Sequence, residues 1–239
     1  MKLRAVWSCT MIFLLSPCVA QIPDSSSQLL VVTSNDWSEL HARAQRYRRQ
    51  GAGFIKIGTA FPVVLGKNGL GWGRGIRSDP PPSGPSKREG DGKSPAGLFA
   101  LGTAFGYDAA VSTRLPYLPL SPTIECVDDS NSSHYNQLVD GRDTARDWNS
   151  SEQMRRDDEL YHYGIFVNHN SPPAANAGSC IFLHIWENAD SGTVGCTAME
   201  LSNILALLRW LDPDQRPLLV QLPRTTYLQQ RASWNLPRL

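Results

Sequence analysis

Neither sign of charge is in excess in this chain. It carries 23 lysine and arginine residues against 22 aspartate and glutamate residues, and only 19% of its residues are charged. Such a balance gives no bulk electrostatic attraction to nucleic acid or to a membrane surface. Beyond residue 20, no apolar run approaches the roughly 20 residues that a spanning helix needs. We therefore expect neither a nucleic-acid partner nor a membrane span.

Long uninterrupted helical stretches are also scarce. The 17 prolines and 19 glycines favour many turns and short elements. We predict helices over residues 37–49 and directly after Cys196. The runs with strand composition are residues 29–33, 53–58, 60–66, 96–101, 163–168, 180–186 and 218–222. We interpret residues 79–91 and 140–158 as exposed excursions. The fold class predicted is mostly β with a few helices.

The first twenty residues have the pattern of a secretory signal peptide. Lys2 and Arg4 precede an apolar stretch, and small residues follow at Cys18-Val19-Ala20. We predict that residues 1–20 are cleaved and that residues 21–239 form a single domain, expected to be monomeric, in the periplasm or outside the cell. A lipid anchor on Cys18 is the alternative, and Pro17 disfavours it.

Cysteine is rare in the predicted mature chain. Of the 5 cysteines, only Cys126, Cys180 and Cys196 lie beyond residue 20. In an oxidising compartment an odd number of cysteines leaves one thiol unpaired. Our hypothesis is a disulfide between Cys126 and Cys180 with Cys196 free, and the sequence leaves the other pairings open.

Cys196 stands in the segment SGTVGCTAME, ahead of an apolar periodic run. Thr197 and Glu200 match a capping box, which predicts a helix N-terminus directly after Cys196. A thiol at that end of a helix is favoured as thiolate. His184, twelve residues upstream, is the candidate base. The alternative is that Cys196 is a small buried hydrophobe and His184 an ordinary core histidine.

Two ordered motifs resemble one family. Residues 87–99, KREGDGKSPAGLF, resemble the DGKTPxGxF segment of the YkuD-type (ErfK/YbiS-type) L,D-transpeptidases. Downstream, His184 followed by Thr193-Val194-Gly195-Cys196 is similar to that family's histidine and its Ser/Thr-x-Gly-Cys signature. The resemblance implies a mostly β catalytic domain of the L,D-transpeptidase-like β-sandwich type, acting on peptidoglycan stem peptides in the bacterial envelope.

The resemblance also implies roles for particular residues. Cys196 would attack the carbonyl of the third stem residue, form a thioester and release D-alanine, with His184 moving the proton. The Ile185 carbonyl would orient His184, and the Gly195 amide would help to stabilise the oxyanion. This chemistry requires no metal and no organic cofactor.

The two motifs also contain candidates for contact with the substrate. Thr193, Arg88 and Lys93 are candidate substrate-binding residues. The family usually carries an Arg or Asn where this chain has Ala198. The basic residues Arg74, Arg88 and Lys93 are candidates to supply that polar contact instead.

Three functions remain open from the sequence. The first is a peptidoglycan L,D-transpeptidase that joins the thioester to an acceptor amine. The second is an L,D-carboxypeptidase or peptidoglycan-trimming cysteine hydrolase, in which water attacks instead. The third is an envelope-binding module without turnover.

The cysteine hypothesis predicts one free thiol in the mature chain. Titration of the unfolded, unreduced protein should find one thiol, which rises to three after reduction. Three thiols before reduction would contradict the disulfide.

Overall fold

The computed structural model describes residues 22–76 and 83–239, so the predicted signal peptide and part of the loop predicted over residues 79–91 lie outside the described residues. The described chain is mostly β with two helices. Its elements are β1 Gln28–Ser34, β2 His41–Gln50, β3 Gly53–Val64, β4 Leu70–Trp72, β5 Ser94–Gly106, β6 Tyr117–Pro119, β7 Ile124–Val127, β8 Leu138–Asp140, β9 Ser151–Gln153, β10 Tyr163–Val167, β11 Phe182–Ile185, β12 Thr197–Met199, α1 Leu201–Trp210, β13 Leu218–Pro223 and α2 Arg224–Gln230.

Most strands belong to one large mixed sheet. Its order is β10-β11-β12-β3-β2-β1-β13-β5-β4, and β5 also pairs with β10. Strand β5 is long enough to do both, because Gly97–Ala100 pairs with β13 and Leu101–Gly106 pairs with β10. The sheet therefore closes on itself through β5. A separate three-stranded sheet has the order β8-β7-β9.

The predicted strands are mostly confirmed. Residues 29–33, 96–101, 163–168, 180–186 and 218–222 lie in or overlap β1, β5, β10, β11 and β13. The two runs predicted over residues 53–58 and 60–66 form the single strand β3. These apolar segments fill the main core, and Leu29, Leu30, Val32, Phe99 and Leu219 are fully buried.

The helix predicted over residues 37–49 is wrong. Residues His41–Gln50 form strand β2, which pairs with β1 on one side and with β3 on the other. Ala42 and Ala44 are buried while His41 and Arg43 are exposed, which is the period-2 pattern of a strand with one covered face. Two long neighbouring strands therefore override the helical propensity of the alanines and arginines.

The helix start predicted directly after Cys196 is also wrong. Thr197–Met199 forms β12, parallel to β11, and α1 begins at Leu201. Glu200 is the N-cap and makes no side-chain cap bond. Thr197 instead donates its hydroxyl to Oε1 of Gln221 at 2.8 Å, and Gln221 Nε2 donates to the Pro95 carbonyl at 2.9 Å. The pairing of β12 with β11 and the buried hydrogen bond from Thr197 to Gln221 determine the structure here, and the capping box does not form.

Helix α1 packs against strands β10 and β11 of the large sheet. Ile204, Leu207 and Leu208 are its buried residues, spaced so that they lie on one face. No helix within residues 22–76 and 83–239 is long and apolar enough to cross a membrane.

Thr197→Val should lower the free energy of unfolding by about 1–3 kcal/mol, because it leaves the buried Gln221 carbonyl without its donor. Glu200→Ala is the matched control, and it should change that free energy by less than about 0.5 kcal/mol because Glu200 is exposed and caps nothing. Urea denaturation measures both. An equal loss in the two variants would support the capping box and contradict the structure.

Candidate active site

Cys196 lies immediately before β12, beside the adjacent parallel strand β11. Its side chain is buried, with the residue only 3% exposed. The sulfur accepts the Phe182 amide at 3.3 Å and donates to the Cys180 carbonyl at 3.5 Å. Cys196 is the free cysteine among the described residues. Two backbone groups around β11 therefore fix the position of the thiol.

The backbone carbonyl of Cys196 is held from two sides. Ser94 Oγ donates to it at 2.8 Å, and Thr193 Oγ1 donates to it at 2.6 Å. Ser94 also accepts the amide of Gly66 at 2.8 Å. The two motifs of the sequence analysis therefore meet here, because Ser94 belongs to the first and Thr193 to the second.

His184 is placed by strand β11 and by its own neighbour. Its Nδ1 lies 2.8 Å from the carbonyl oxygen of Ile185, where the sequence analysis expected it. A carbonyl only accepts, so Nδ1 carries the proton and Nε2 keeps its lone pair. The ring packs edge-on against Tyr161, with centroids 5.1 Å apart. This tautomer can accept a proton at Nε2.

Both groups are neutral at rest, which corrects the expected thiolate. Burial raises the pKa of the Cys196 thiol to about 12, and α1 begins too far along the chain to lower it. Burial lowers the pKa of His184 to about 4. Near neutral pH the pair is therefore a thiol and an unprotonated imidazole.

Two cavities meet at Cys196. The larger, of about 340 Å³, is called the acidic cavity because Glu89, Asp128 and Glu152 line it, together with Lys87. The smaller, of about 210 Å³, is called the aromatic cavity and contains His184 together with Tyr161, Trp186 and Leu160. Cys196, Glu152 and Val194 line both cavities. The nucleophile candidate thus borders both cavities.

Glu152 and Tyr161 belong to this site, and the sequence analysis missed both. The Tyr161 hydroxyl donates to Glu152 Oε1 at 2.5 Å, and Arg156 Nη1 lies 3.8 Å from the same oxygen. Burial raises the pKa of Glu152. Glu152 lies on the short strand β9 inside the charged run 140–158. Met154, which is fully buried in that run, was the available signal that part of it enters the core.

Gly195 and Thr193 are joined by a hydrogen bond in the turn before the cysteine. The Gly195 amide donates to Thr193 Oγ1 at 3.1 Å, and Gly195 lines the acidic cavity. Thr193 lines the aromatic cavity, and its hydroxyl donates a hydrogen bond to the Cys196 carbonyl. Both residues hold the turn before the cysteine.

The predicted basic contacts do not reach the cavities. Arg88 and Lys93 are not among the described residues that line either one, and the Lys93 ammonium donates to the Asn68 carbonyl at 2.6 Å. Lys87 lines the acidic cavity instead. Its ammonium lies 2.6 Å from Asp91 Oδ1, and the same carboxylate accepts the amides of Arg88 and Lys93. The GDGK segment is therefore a turn organised by Asp91.

Cys126 and Cys180 form a disulfide, the pairing hypothesised from the sequence, with their Cα atoms 6.0 Å apart. Cys126 lies on β7, so the bond ties the three-stranded sheet to the segment before β11. Asn136 accepts the Cys180 amide at 2.9 Å, and the Cys180 carbonyl accepts the thiol of Cys196. The disulfide thus supports one wall of the acidic cavity.

The neutral resting pair predicts how Cys196 reacts with iodoacetamide. Its alkylation rate should rise about tenfold per pH unit between about pH 6 and pH 9, because the thiolate fraction grows in that proportion below the pKa. His184→Ala should leave this slope unchanged, since His184 does not titrate in that range. Mass spectrometry of the alkylated peptide measures the rate. A rate independent of pH would show a thiolate that is already formed.

Comparison with family models gave no match, and no curated protein and no solved structure matched the chain. The geometry around Cys196 is therefore what points to a function for this chain.

Proposed function

We propose that the chain is a peptidoglycan L,D-transpeptidase with Cys196 as nucleophile and His184 as proton acceptor, built on an L,D-transpeptidase-like β-sandwich. One observation carries the proposal: a free cysteine and a histidine whose Nε2 keeps its lone pair line the same cavity from adjacent strands. The motifs in residues 87–99 and 193–196 add to it, because Ser94 and Thr193 both bind the Cys196 carbonyl.

The first half-reaction is acylation of Cys196. His184 Nε2 takes the thiol proton as the sulfur attacks the carbonyl of the third stem residue, so no resting thiolate is needed. The tetrahedral intermediate collapses, the C–N bond breaks, and His184 returns the proton to the departing D-alanine amine. A thioester on Cys196 remains.

The two cavities support a reaction with two substrates. A donor peptide in one cavity and an acyl acceptor in the other would approach the same sulfur from opposite sides. An acceptor amine gives a cross-link, whereas water gives the carboxypeptidase reaction that is the second candidate. We favour transfer, because the carboxylates that line the acidic cavity attract a cationic amine more strongly than water.

The disulfide supports the proposed location. A bond between Cys126 and Cys180 is expected to persist in the periplasm or outside the cell and to be reduced in a cytosol. We propose that the mature chain acts in that oxidising compartment on peptidoglycan stem peptides.

Incubation with tetrapeptide muropeptides tests the proposal. Mass spectrometry should detect release of D-alanine and cross-linked dimers. Cys196→Ala should abolish both products, and His184→Gln should slow them by at least about 100-fold because it removes the proton acceptor. Circular dichroism would establish that both variants are folded.

The other candidates give different outcomes in the same assay. Loss of D-alanine without dimers would indicate the carboxypeptidase. No product from the wild type would support a binding module, and activity that survives Cys196→Ala would contradict the nucleophile.

A further inference from the structure

We propose that Glu152 is the proton acceptor for the attacking amine in the second half-reaction, and that the acidic cavity binds this amine in its ammonium form. This inference rests on the proposed function, because it concerns the fate of the Cys196 thioester. It assigns to His184 and Glu152 separate proton transfers in the two cavities.

The position of Glu152 is the first reason. It is one of the three residues that line both cavities, and the other two are the nucleophile Cys196 and the apolar Val194. The Glu152 carboxylate therefore borders both the acidic cavity, where we place the acceptor amine, and the Cys196 sulfur. Of the described residues, His184 lines the aromatic cavity but not the acidic cavity.

The orientation of Glu152 is the second reason. Tyr161 donates to Oε1 at 2.5 Å, which fixes the carboxylate from the side of the aromatic cavity. Arg156 Nη1 lies 3.8 Å from that same oxygen, while Arg156 itself is bound by Asp158 through a 2.7 Å contact. These named contacts all involve Oε1, so Oε2 is the oxygen available for a substrate proton.

The charge of the acidic cavity is the third reason. Among the described residues, three carboxylates and one cation line it, and that cation, Lys87, is paired at 2.6 Å with Asp91. Glu89 is occupied by the hydroxyls of Tyr135 and Ser179. Asp128 Oδ1 is buried without a hydrogen-bond partner in the described structure. An incoming ammonium is attracted by this uncompensated negative charge and supplies a donor for Glu152 Oε2.

The environment of Glu152 suits a proton acceptor. Burial raises its pKa, and the charge of Asp128 acts in the same direction, while Tyr161 and Arg156 oppose the shift. A carboxylate with a raised pKa is a stronger base than an exposed one. An alkylammonium has a pKa of about 10, so the acceptor arrives protonated and must lose a proton before it attacks.

The proposed step balances as follows. The Glu152 carboxylate takes one proton from the acceptor ammonium, and the amine nitrogen attacks the thioester carbonyl. The C–N bond forms, the C–S bond breaks, and the second amine proton goes to the departing Cys196 sulfur. Glu152 then releases its proton to solvent, so the thioester and ammonium become an amide, a thiol and one proton.

The experiment compares two acceptors for the same thioester. One is the amine of a second stem peptide, which is protonated near neutral pH, and the other is hydroxylamine, which is already neutral there. Glu152→Gln should reduce amine transfer relative to hydroxamate formation by about 100-fold, the effect typical of a lost general base. D-alanine release reports the first half-reaction separately in every variant.

Tyr161→Phe is the control for a purely structural role of Glu152. It removes the 2.5 Å hydrogen bond that orients the carboxylate but keeps the carboxylate itself, so the ratio of amide to hydroxamate should fall by less than about tenfold, against about 100-fold for Glu152→Gln. If Glu152 serves only to anchor Tyr161, the two variants will instead change the ratio equally, and the proposal is overturned. Glu152→Asp, which retains a carboxylate one methylene further away, should give an intermediate ratio.

If a folded Glu152→Gln or Glu152→Asp variant keeps the wild-type ratio of amide to hydroxamate, the proposal is overturned. This holds even if D-alanine release is intact. Failure of the wild type to release D-alanine would be a different result, because it would overturn the proposed function and this role with it.

Discussion

The parallel pairing of β11 with β12 is the constraint on which the site depends. It places Leu183 opposite Thr197 and His184 opposite Ala198, so Cys196 lies beside Phe182 at the start of β12. The Phe182 amide then reaches the sulfur. Parallel strands require a crossover, and the connection between these two carries Thr193 and Gly195, which shape the turn before the cysteine. His184 and Cys196 are twelve residues apart in the sequence, and this strand pairing brings them to one cavity.

Burial has two consequences at this site. It keeps Cys196 as a thiol and His184 as a free base, and it strengthens every hydrogen bond that fixes them. Because the thiolate is the reactive form, a raised pKa makes the sulfur slow to alkylate or oxidise near neutral pH. In this account the reactivity of Cys196 arises from the arrangement of substrate, thiol and imidazole, rather than from a thiolate that exists at rest.

The sequence predicted the strands with continuous apolar composition, because burial is decided locally. Counting cysteines left three pairings open, and the hypothesised one, Cys126 with Cys180, is the pairing in the structure. It also placed the Ile185 carbonyl against His184, which adjacent residues on one strand make possible. It failed where a tertiary partner decides the outcome. Strand β2 is polar and is held by two neighbours. Thr197 finds Gln221, 24 residues away, in place of a helix end. Glu152 lies in a charged run, and the fold of the chain determines which of its charged side chains lies beside Cys196.

The central claim is that Cys196 carries the acyl group. The most direct test is the intact mass of the protein after brief exposure to a tetrapeptide donor without an acceptor, followed by peptide mapping at acid pH. The account predicts one adduct, equal in mass to the donor less D-alanine, on the peptide that contains Cys196. No adduct, or an adduct on another residue, would contradict it.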